Sequence, residues 1–187
     1  MILASQSPRR RELLGLITED FVVVPAQGEE LLPEDISPRD AVIMLSQQKA
    51  EEIRKREFPG EVNDVIIAAD TVVAIDNDIL GKPADRENAV EMLRRLSGRK
   101  HSVFTGVTVI SPKKTVSFAE ETEVEFHPLT EQEISDYVDS GDPMDKAGAY
   151  GIQGRGALLV KRIEGDYYNV MGLPVGRLYR ELRDSNR

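Results

Sequence analysis

Serine and arginine side chains gather near the N-terminus in an order that could bind an anion. The short apolar run Ile2–Ala4 is followed at once by these polar residues and by Pro8, which predicts a helix start. The first turn of a helix presents unpaired N–H groups and the positive end of the helix dipole, and arginine forks match phosphate oxygens in pairs. The alternative is an N-cap serine beside a solvated basic helix face. The candidate anion ligands are Ser5, Ser7, Arg9 and Arg10.

Asp70 interrupts an apolar strand predicted over Val65–Ile75. Alternation along a strand places its side chain on the face of Ile66, Ala68 and Val72. A buried carboxylate without a partner costs several kcal/mol, so we expect a cation or a metal ion beside it, or a bound proton. The structural alternative is an aspartate that ties down a neighbouring loop. We favour a functional aspartate, because intruding carboxylates cluster at sites.

Three lysines and one glutamate are further candidates. Lys49 lies on the apolar stripe of a long predicted helix, where its spacing alone favours a stem packed on the core with the ammonium in solvent. Lys82 and Lys146 lie in tight loops where the backbone can approach a ligand closely, although surface lysines in loops are common. Glu30 is either a solvated acid or a second carboxylate for a magnesium ion.

The elements that must position these side chains alternate along the chain. Apolar runs predict strands at residues 2–4, 21–24, 65–75, 79–80, 101–110, 115–126 and 157–163. Caps and apolar stripes predict helices at residues 8–16, 38–57, 85–96 and 130–141, and from residue 173 to a polar tail at Arg183. A glycine-rich loop covers residues 145–156. Strands alternating with helices, together with an antiparallel hairpin turning at Ser111–Lys114, predict an α/β fold with a mixed twisted sheet flanked by helices.

Composition and charge exclude several classes of protein. A chain of 187 residues can bury a core large enough to fold without disulfide bonds or a structural metal ion. The absence of cysteine excludes disulfides, thiolate zinc sites and cysteine nucleophiles. The net charge of −9 argues against a nucleic-acid polymer as partner. No apolar run approaches the roughly 18 to 20 residues of a membrane helix, and early arginines argue against a secretory signal, so we expect a cytoplasmic protein without a membrane partner. His101 and His127 are too isolated for a metal pair and are predicted to be structural.

Five segments, in order and with matching spacing, resemble the Maf family of nucleoside triphosphate pyrophosphatases. They are Leu3–Arg10, Gln48–Ala50, Ala69–Thr71, Gly81–Pro83 and Asp145–Gly154. The resemblance covers nearly the whole chain and implies one domain, residues 1–187, with two lobes around a central cleft. It also implies hydrolysis of a nucleoside triphosphate to the monophosphate and pyrophosphate, with dependence on a divalent cation, Mg²⁺ or Mn²⁺.

The resemblance assigns roles to four of the candidates. By position, Asp70 resembles the family's proton acceptor, and Glu30, Lys49 and Lys82 match its other residues important for activity. Asp70 and Glu30 are then the candidate metal ligands. The residues themselves leave open whether Asp70 takes a proton from water or holds the metal ion that acidifies it.

A second set of matches bears on the substrate. Arg9, Thr71 and Gln153 match the residues that mark the family branch acting on dTTP and UTP, whereas another branch acts on 7-methyl-GTP. The implied substrates include modified pyrimidine nucleotides. Lys146 joins the candidate substrate-binding residues through its place in the last matching segment.

Two other classes of function stay open at this point. A nucleotide-binding regulator of cell division would bind a triphosphate without consuming it. A nucleic-acid-binding module would use the arginines at residues 9–11, against which the net charge of −9 argues. A homodimer is a further candidate assembly of this chain.

Overall fold

The computed structural model describes residues 1–58, 60 and 63–185, and one mixed sheet organises them. Its strands are β1 (Ile2–Ala4), β2 (Val22–Val23), β3 (Ile66–Ile75), β4 (Asp78–Leu80), β5 (Lys100–Ile110), β6 (Thr115–Phe126) and β7 (Val160–Glu164). The strand order is β2-β1-β3-β5-β6-β7, and β4 pairs with β3 beside this path. β1 is parallel to β2 and β3, and the other pairs are antiparallel. The predicted mixed sheet is confirmed, and its strand order comes from the structure.

Helices flank this sheet. They are α1 (Pro8–Gly15), α2 (Pro38–Glu57), α3 (Arg86–Leu96), α4 (Glu131–Asp139), α5 (Tyr167–Met171) and α6 (Val175–Ser185). The predicted N-cap residues Ser7, Ser37 and Thr130 each accept a hydrogen bond from a backbone N–H in the first helical turn. Among the described residues, no helix has the length and apolar character needed to cross a bilayer. The division into two lobes stays a prediction.

Two parts of the predicted element pattern are wrong, and helix α5 (Tyr167–Met171) forms where no element was predicted. The strand predicted over 157–163 begins only at Val160, because Gly154–Leu158 forms a 3-10 helix. That loop folds back tightly: a Cβ on Gly156 would lie 1.9 Å from the Gly151 carbonyl oxygen. The polar tail predicted from Arg183 instead continues helix α6 to Ser185, and residues 186–187 lie outside the described residues.

The alternation along β3 divides the core into two layers. Ile66 and Ala68 pack with Ala50 of α2 on one face, whereas Ile67 and Ala69 pack with residues of α1 and α6 on the other. The prediction that Asp70 shares the face of Ile66 and Ala68 is therefore confirmed, and α2 covers that face.

Helix α2 lies unusually close to the sheet at Gly106 of β5. A Cβ on Gly106 would lie 2.2 Å from the Val42 carbonyl oxygen and 2.8 Å from the Ile43 nitrogen. Gly106 pairs in register with Asp70 on β3. The missing side chain therefore lets α2 approach the strand that carries Asp70, and Lys49 lies two helical turns beyond Val42 on the same face.

We expect Gly106→Ala to lower the free energy of unfolding by about 3 kcal/mol, because the new methyl group meets the α2 backbone and the helix must move. Urea unfolding followed by circular dichroism measures the loss. Gly176→Ala is the matched control, since among the described residues no atom outside its chain neighbours and its own helix backbone lies within 4 Å of the new Cβ. In helix α6 that change should raise stability by up to about 1 kcal/mol. An unchanged stability of Gly106→Ala would contradict the close helix–sheet contact.

Candidate active site

A cleft of about 950 Å³ lies between the β1–α1 connection, helix α2, strand β3 and the loops that follow β4, α4 and α5. The structure brings together in it all eleven predicted site residues: Ser5, Ser7, Arg9, Arg10, Glu30, Lys49, Asp70, Thr71, Lys82, Lys146 and Gln153. Their positions in one cleft agree with the sequence analysis, and the role of each one stays a prediction.

The charge of the cleft differs in sign from that of the whole chain. Five cationic and four acidic side chains line the cleft, whereas the chain carries a net charge of −9. Low-dielectric walls strengthen the field of charges inside a cleft. A polyanion is therefore attracted locally by a protein that repels it at long range.

Asp70 and Glu30 meet at the ammonium group of Lys49. The Lys49 Nζ lies 2.8 Å from Glu30 Oε1 and forms an ion pair with Asp70 Oδ1. The side chains of Asp70 and Lys49 are only 14% and 19% exposed. The loop that carries Glu30 is held against α2, because Leu31 N donates to Gln48 Oε1 (3.1 Å) and Gln48 Nε2 donates to the Leu31 carbonyl oxygen (2.7 Å). The prediction of a snorkelling Lys49 is wrong, since β3 places a carboxylate beneath it.

Arg10 is fixed at three points inside the cleft. Its Nε donates to the Gly172 carbonyl oxygen (2.8 Å), Nη1 to Ser5 Oγ (3.4 Å) and Nη2 to Thr71 Oγ1 (3.0 Å). Gly172 has φ 111°, and a Cβ there would lie 3.4 Å from both Arg10 Nε and Thr71 Oγ1. Burial lowers the pKa of Arg10, although the nearby Asp70 carboxylate acts in the opposite direction. Arg10 is thus a preorganised cation with two N–H groups left for a ligand.

Lys146 contacts two aspartates of the loop after α4, and Arg9 contacts one of them. Lys146 Nζ lies 2.7 Å from Asp145 Oδ1 and 3.1 Å from Asp142 Oδ1, and Arg9 Nη1 lies 3.8 Å from Asp145 Oδ2. Partial burial raises the pKa of Asp145, but the Lys146 hydrogen bond and charge outweigh it and hold that pKa below its ordinary value. The Lys146 stem also packs on Gly151, where a Cβ would lie 2.8 Å from Lys146 Cε. These contacts fasten the loop that carries Gln153 to the rest of the cleft.

Lys82 and Gln153 are exposed side chains that line the cleft. Within the described part of the chain, neither side chain has a hydrogen-bond or ion-pair partner. The loop of Lys82 is nevertheless held in place, because Gly148 N donates to the Gly81 carbonyl oxygen (3.0 Å). Both side chains are free to bind a ligand.

We expect Lys82→Ala to raise the KM for a triphosphate substrate, because one charge-assisted contact worth about 1.5–3 kcal/mol is lost. That free energy corresponds to a change of roughly 10- to 150-fold. Lys114→Ala, in the β5–β6 hairpin turn outside the cleft, is the matched control and should leave KM unchanged. Equal effects of the two substitutions in steady-state kinetics would indicate general electrostatics in place of a specific contact.

Three residues that support the site were not predicted from the sequence. Thr105 contacts Thr71, Asn169 lies under the cleft with no exposed surface, and Gly172 accepts the Arg10 hydrogen bond. A threonine in a strand is common, so the sequence does not mark Thr105 as a residue of the site. Asn169 could have been noticed, because it is a polar residue between Tyr168 and Val170, just before Gly172.

Fold and cleft together define an α/β protein with a net cationic cleft in which two carboxylates, Asp70 and Glu30, share one lysine. A family model described as Maf-like protein matches residues 1–185. The chain belongs to the Maf family, and the resemblance drawn from its motifs is confirmed.

Relatives cover nearly all of the chain. Proteins named dTTP/UTP pyrophosphatase are similar to it in Carboxydothermus hydrogenoformans (53% identical, 97% of this chain and 96% of the relative) and in Agathobacter rectalis (52%, 98% and 96%). The protein of that name in Bacillus velezensis is 50% identical over 100% of this chain and 96% of the relative. Among solved structures, the Staphylococcus aureus Ham1 protein has a TM-score of 0.45 and 17% identity, over 67% of this chain and 70% of that one.

Proposed function

We propose that this protein hydrolyses dTTP and UTP to the nucleoside monophosphate and pyrophosphate. The observation that carries the proposal is the Asp70–Lys49–Glu30 cluster, set in a cleft whose lining is cationic in an otherwise acidic chain. The similarity to proteins named dTTP/UTP pyrophosphatase, at 50–53% identity over nearly the full length, supports the choice of substrate.

Four side chains of the cleft have distinct parts in this reaction. Arg10 and Lys82 bind phosphate oxygens and offset the charge that develops on the departing pyrophosphate. Asp70 accepts the proton of the attacking water, and the adjacent Lys49 ammonium fixes the orientation of its carboxylate. Because Arg10 is already held at three points, little ordering is needed when the phosphates bind.

A divalent cation, Mg²⁺ or Mn²⁺, belongs to the proposal. Among residues 1–58, 60 and 63–185, no group of three or more acidic or histidine side chains forms a metal site. Mg²⁺ bound together with a nucleotide needs only one or two carboxylates besides phosphate oxygens. Lys49 contacts Oδ1 of Asp70 and Oε1 of Glu30, so the second oxygen of each carboxylate is left for a cation. These two residues would hold the cation, which when bound withdraws charge from the phosphates and acidifies water.

We expect dTTP and UTP to be consumed well ahead of CTP, ATP, GTP and 7-methyl-GTP. Uracil and thymine present O2, N3–H and O4, and the free amide of Gln153 can pair with such an edge because it both donates and accepts. A polar pocket rejects a base that leaves its groups unpaired by a large factor. A competition assay that follows the loss of each triphosphate measures the ranking. The pyrimidine assignment fails if ATP or 7-methyl-GTP is consumed faster than UTP.

Gln153→Leu in the same assay should flatten the ranking more than it lowers stability. Gln47→Leu is the matched control, because Gln47 bonds to Ser117 outside the cleft and its loss should leave the ranking unchanged.

We place the reaction in the cytoplasm, and a homodimer stays a prediction.

A further inference from the structure

A chain of hydroxyl groups leads from the cleft into the protein interior. Thr71 and Thr105 lie opposite each other in the β3–β5 register, with their Oγ1 atoms 2.9 Å apart. Thr105 Oγ1 lies 2.8 Å from the Asn169 carbonyl oxygen. On the cleft side, Arg10 Nη2 lies 3.0 Å from Thr71 Oγ1. The two hydroxyl groups thus join a cleft cation to a buried carbonyl group.

The direction of each hydrogen bond in this chain follows from the number of protons available. A carbonyl oxygen only accepts, so the single hydroxyl proton of Thr105 is donated to Asn169. Thr105 can then only accept from Thr71, and the Thr71 proton points inward. Arg10 has no acceptor atom, so it donates to one of the two lone pairs of Thr71. What Thr71 can still offer a ligand is one lone pair.

The Ser5 hydroxyl differs from that of Thr71, because it is left as a donor and not as an acceptor. Its Oγ accepts from Ser7 N (3.1 Å) and from Arg10 Nη1 (3.4 Å), which uses both lone pairs. The Ser5 hydroxyl proton therefore remains for a ligand acceptor. Fully ionised phosphate oxygens are acceptors only, so they suit Ser5 and cannot bond to Thr71.

We propose that Thr105 is a positioning residue that commits the Thr71 hydroxyl to accept a hydrogen bond from a donor group of the nucleoside. The inference rests on the proposed function, since the nucleotide supplies that donor. dTTP and UTP share two candidates, the base N3–H and the sugar 3′-hydroxyl. The nucleotide is then oriented with its phosphates at Ser5 and its nucleoside at Thr71.

The buried end of the chain is rigid enough to keep this direction. Thr105 and Asn169 both have 0% exposed surface. Asn169 is itself fastened, because its Nδ2 donates to the Val103 carbonyl oxygen and to Thr122 Oγ1, each at 3.0 Å. The Asn169 carbonyl oxygen also accepts from Gly172 N (3.0 Å), and it would lose one of its two hydrogen bonds if the Thr105 hydroxyl turned away. That loss is costly in a buried position, so Thr105 continues to donate to Asn169 when a ligand binds.

The first part of the test uses the wild-type protein and three nucleotides. Turnover of UTP is measured first, and its absence would overturn the proposed function without any reference to Thr105. CTP lacks the N3–H, and 3′-deoxy-UTP lacks the sugar hydroxyl. We expect the analogue that lacks the donor facing Thr71 to lose at least about 30-fold in kcat/KM relative to UTP. Because Gln153 is also expected to disfavour CTP, that analogue is identified as the one whose loss becomes smaller in Thr71→Val. If both analogues match UTP, Thr71 faces no donor and the inference is overturned.

The second part repeats these measurements on variants. Thr105→Val frees the Thr71 hydroxyl to rotate, so the penalty on that analogue should shrink by about 10-fold, mainly through KM. Thr105→Ser keeps the hydroxyl and should restore the wild-type penalty. Thr108→Val is the matched control, because Thr108 is a buried threonine of β5 that bonds to Ser46 and Ser117 outside the cleft.

An unchanged penalty in Thr105→Val, with stability lowered as in Thr108→Val, would show a merely structural threonine and overturn the inference. Should Thr105→Val fail to fold, Thr71→Val supplies the same readout, since it removes the acceptor itself. If the inference holds, the loss in kcat/KM of the analogue relative to UTP must also become smaller in Thr71→Val. An unchanged loss in that variant overturns the inference.

Discussion

Asp70→Asn is expected to lower kcat by at least about 100-fold, because asparagine keeps the shape of the side chain but can neither accept the proton of water nor bind a divalent cation as a carboxylate does. The fold should be retained, since the Lys49 ammonium keeps Glu30 as a partner at 2.8 Å. Steady-state kinetics with UTP at saturating Mg²⁺, together with urea unfolding, separates the two effects.

Asp78→Asn is the control for this substitution. Asp78 lies at the far end of the β3–β4 turn and forms an exposed ion pair with Arg95 at 2.9 Å. Exposed pairs contribute about 0–1 kcal/mol, so neither turnover nor stability should change much. If Asp70→Asn keeps a kcat close to that of the wild type, Asp70 is structural and the proposed mechanism is wrong.

Arg10→Ala should lower kcat/KM by roughly 100-fold, because it removes a phosphate contact and also the three hydrogen bonds that fix the guanidinium group. Arg11→Ala changes the neighbouring residue, which is exposed and lies outside the cleft, and should have little effect. Similar losses in the two variants, measured with UTP, would reduce the role of Arg10 to general charge.

Arg10→Lys distinguishes charge from geometry. Lysine keeps the positive charge but lacks the planar fork that reaches Gly172, Ser5 and Thr71 together. We therefore expect Arg10→Lys to remain closer to Arg10→Ala than to the wild type. Full activity of the lysine variant would show that charge alone suffices at this position.

The sequence predicted well those features that depend on near neighbours in the chain. Ser7 and Thr130 are N-caps because their side chains reach backbone N–H groups three residues on, which is a local matter. Asp70 was identified because any charge stands out in an apolar strand, and alternation placed it on the face that α2 covers. Both kinds of inference need no knowledge of the tertiary structure.

Features set by long-range packing could not be predicted in this way. The position of Lys49 on an apolar stripe predicts that its ammonium group reaches solvent. Only the packing of α2 on β3 shows that the ammonium group instead meets Asp70. Thr105 meets Thr71 only through the antiparallel register of β3 and β5. Gly106 did carry a signal, since a glycine inside a strand often marks close backbone approach, but the approaching backbone, that of Val42, lies 64 residues earlier in the chain.

The identity of the products formed from UTP tests the central claim most directly. Wild-type protein is incubated with UTP and Mg²⁺, and the products are separated by chromatography. Cleavage between the α- and β-phosphates predicts UMP and pyrophosphate in equal amounts. UDP with orthophosphate would contradict the account, and so would UTP that binds and is recovered intact, which is the behaviour of a regulator without turnover.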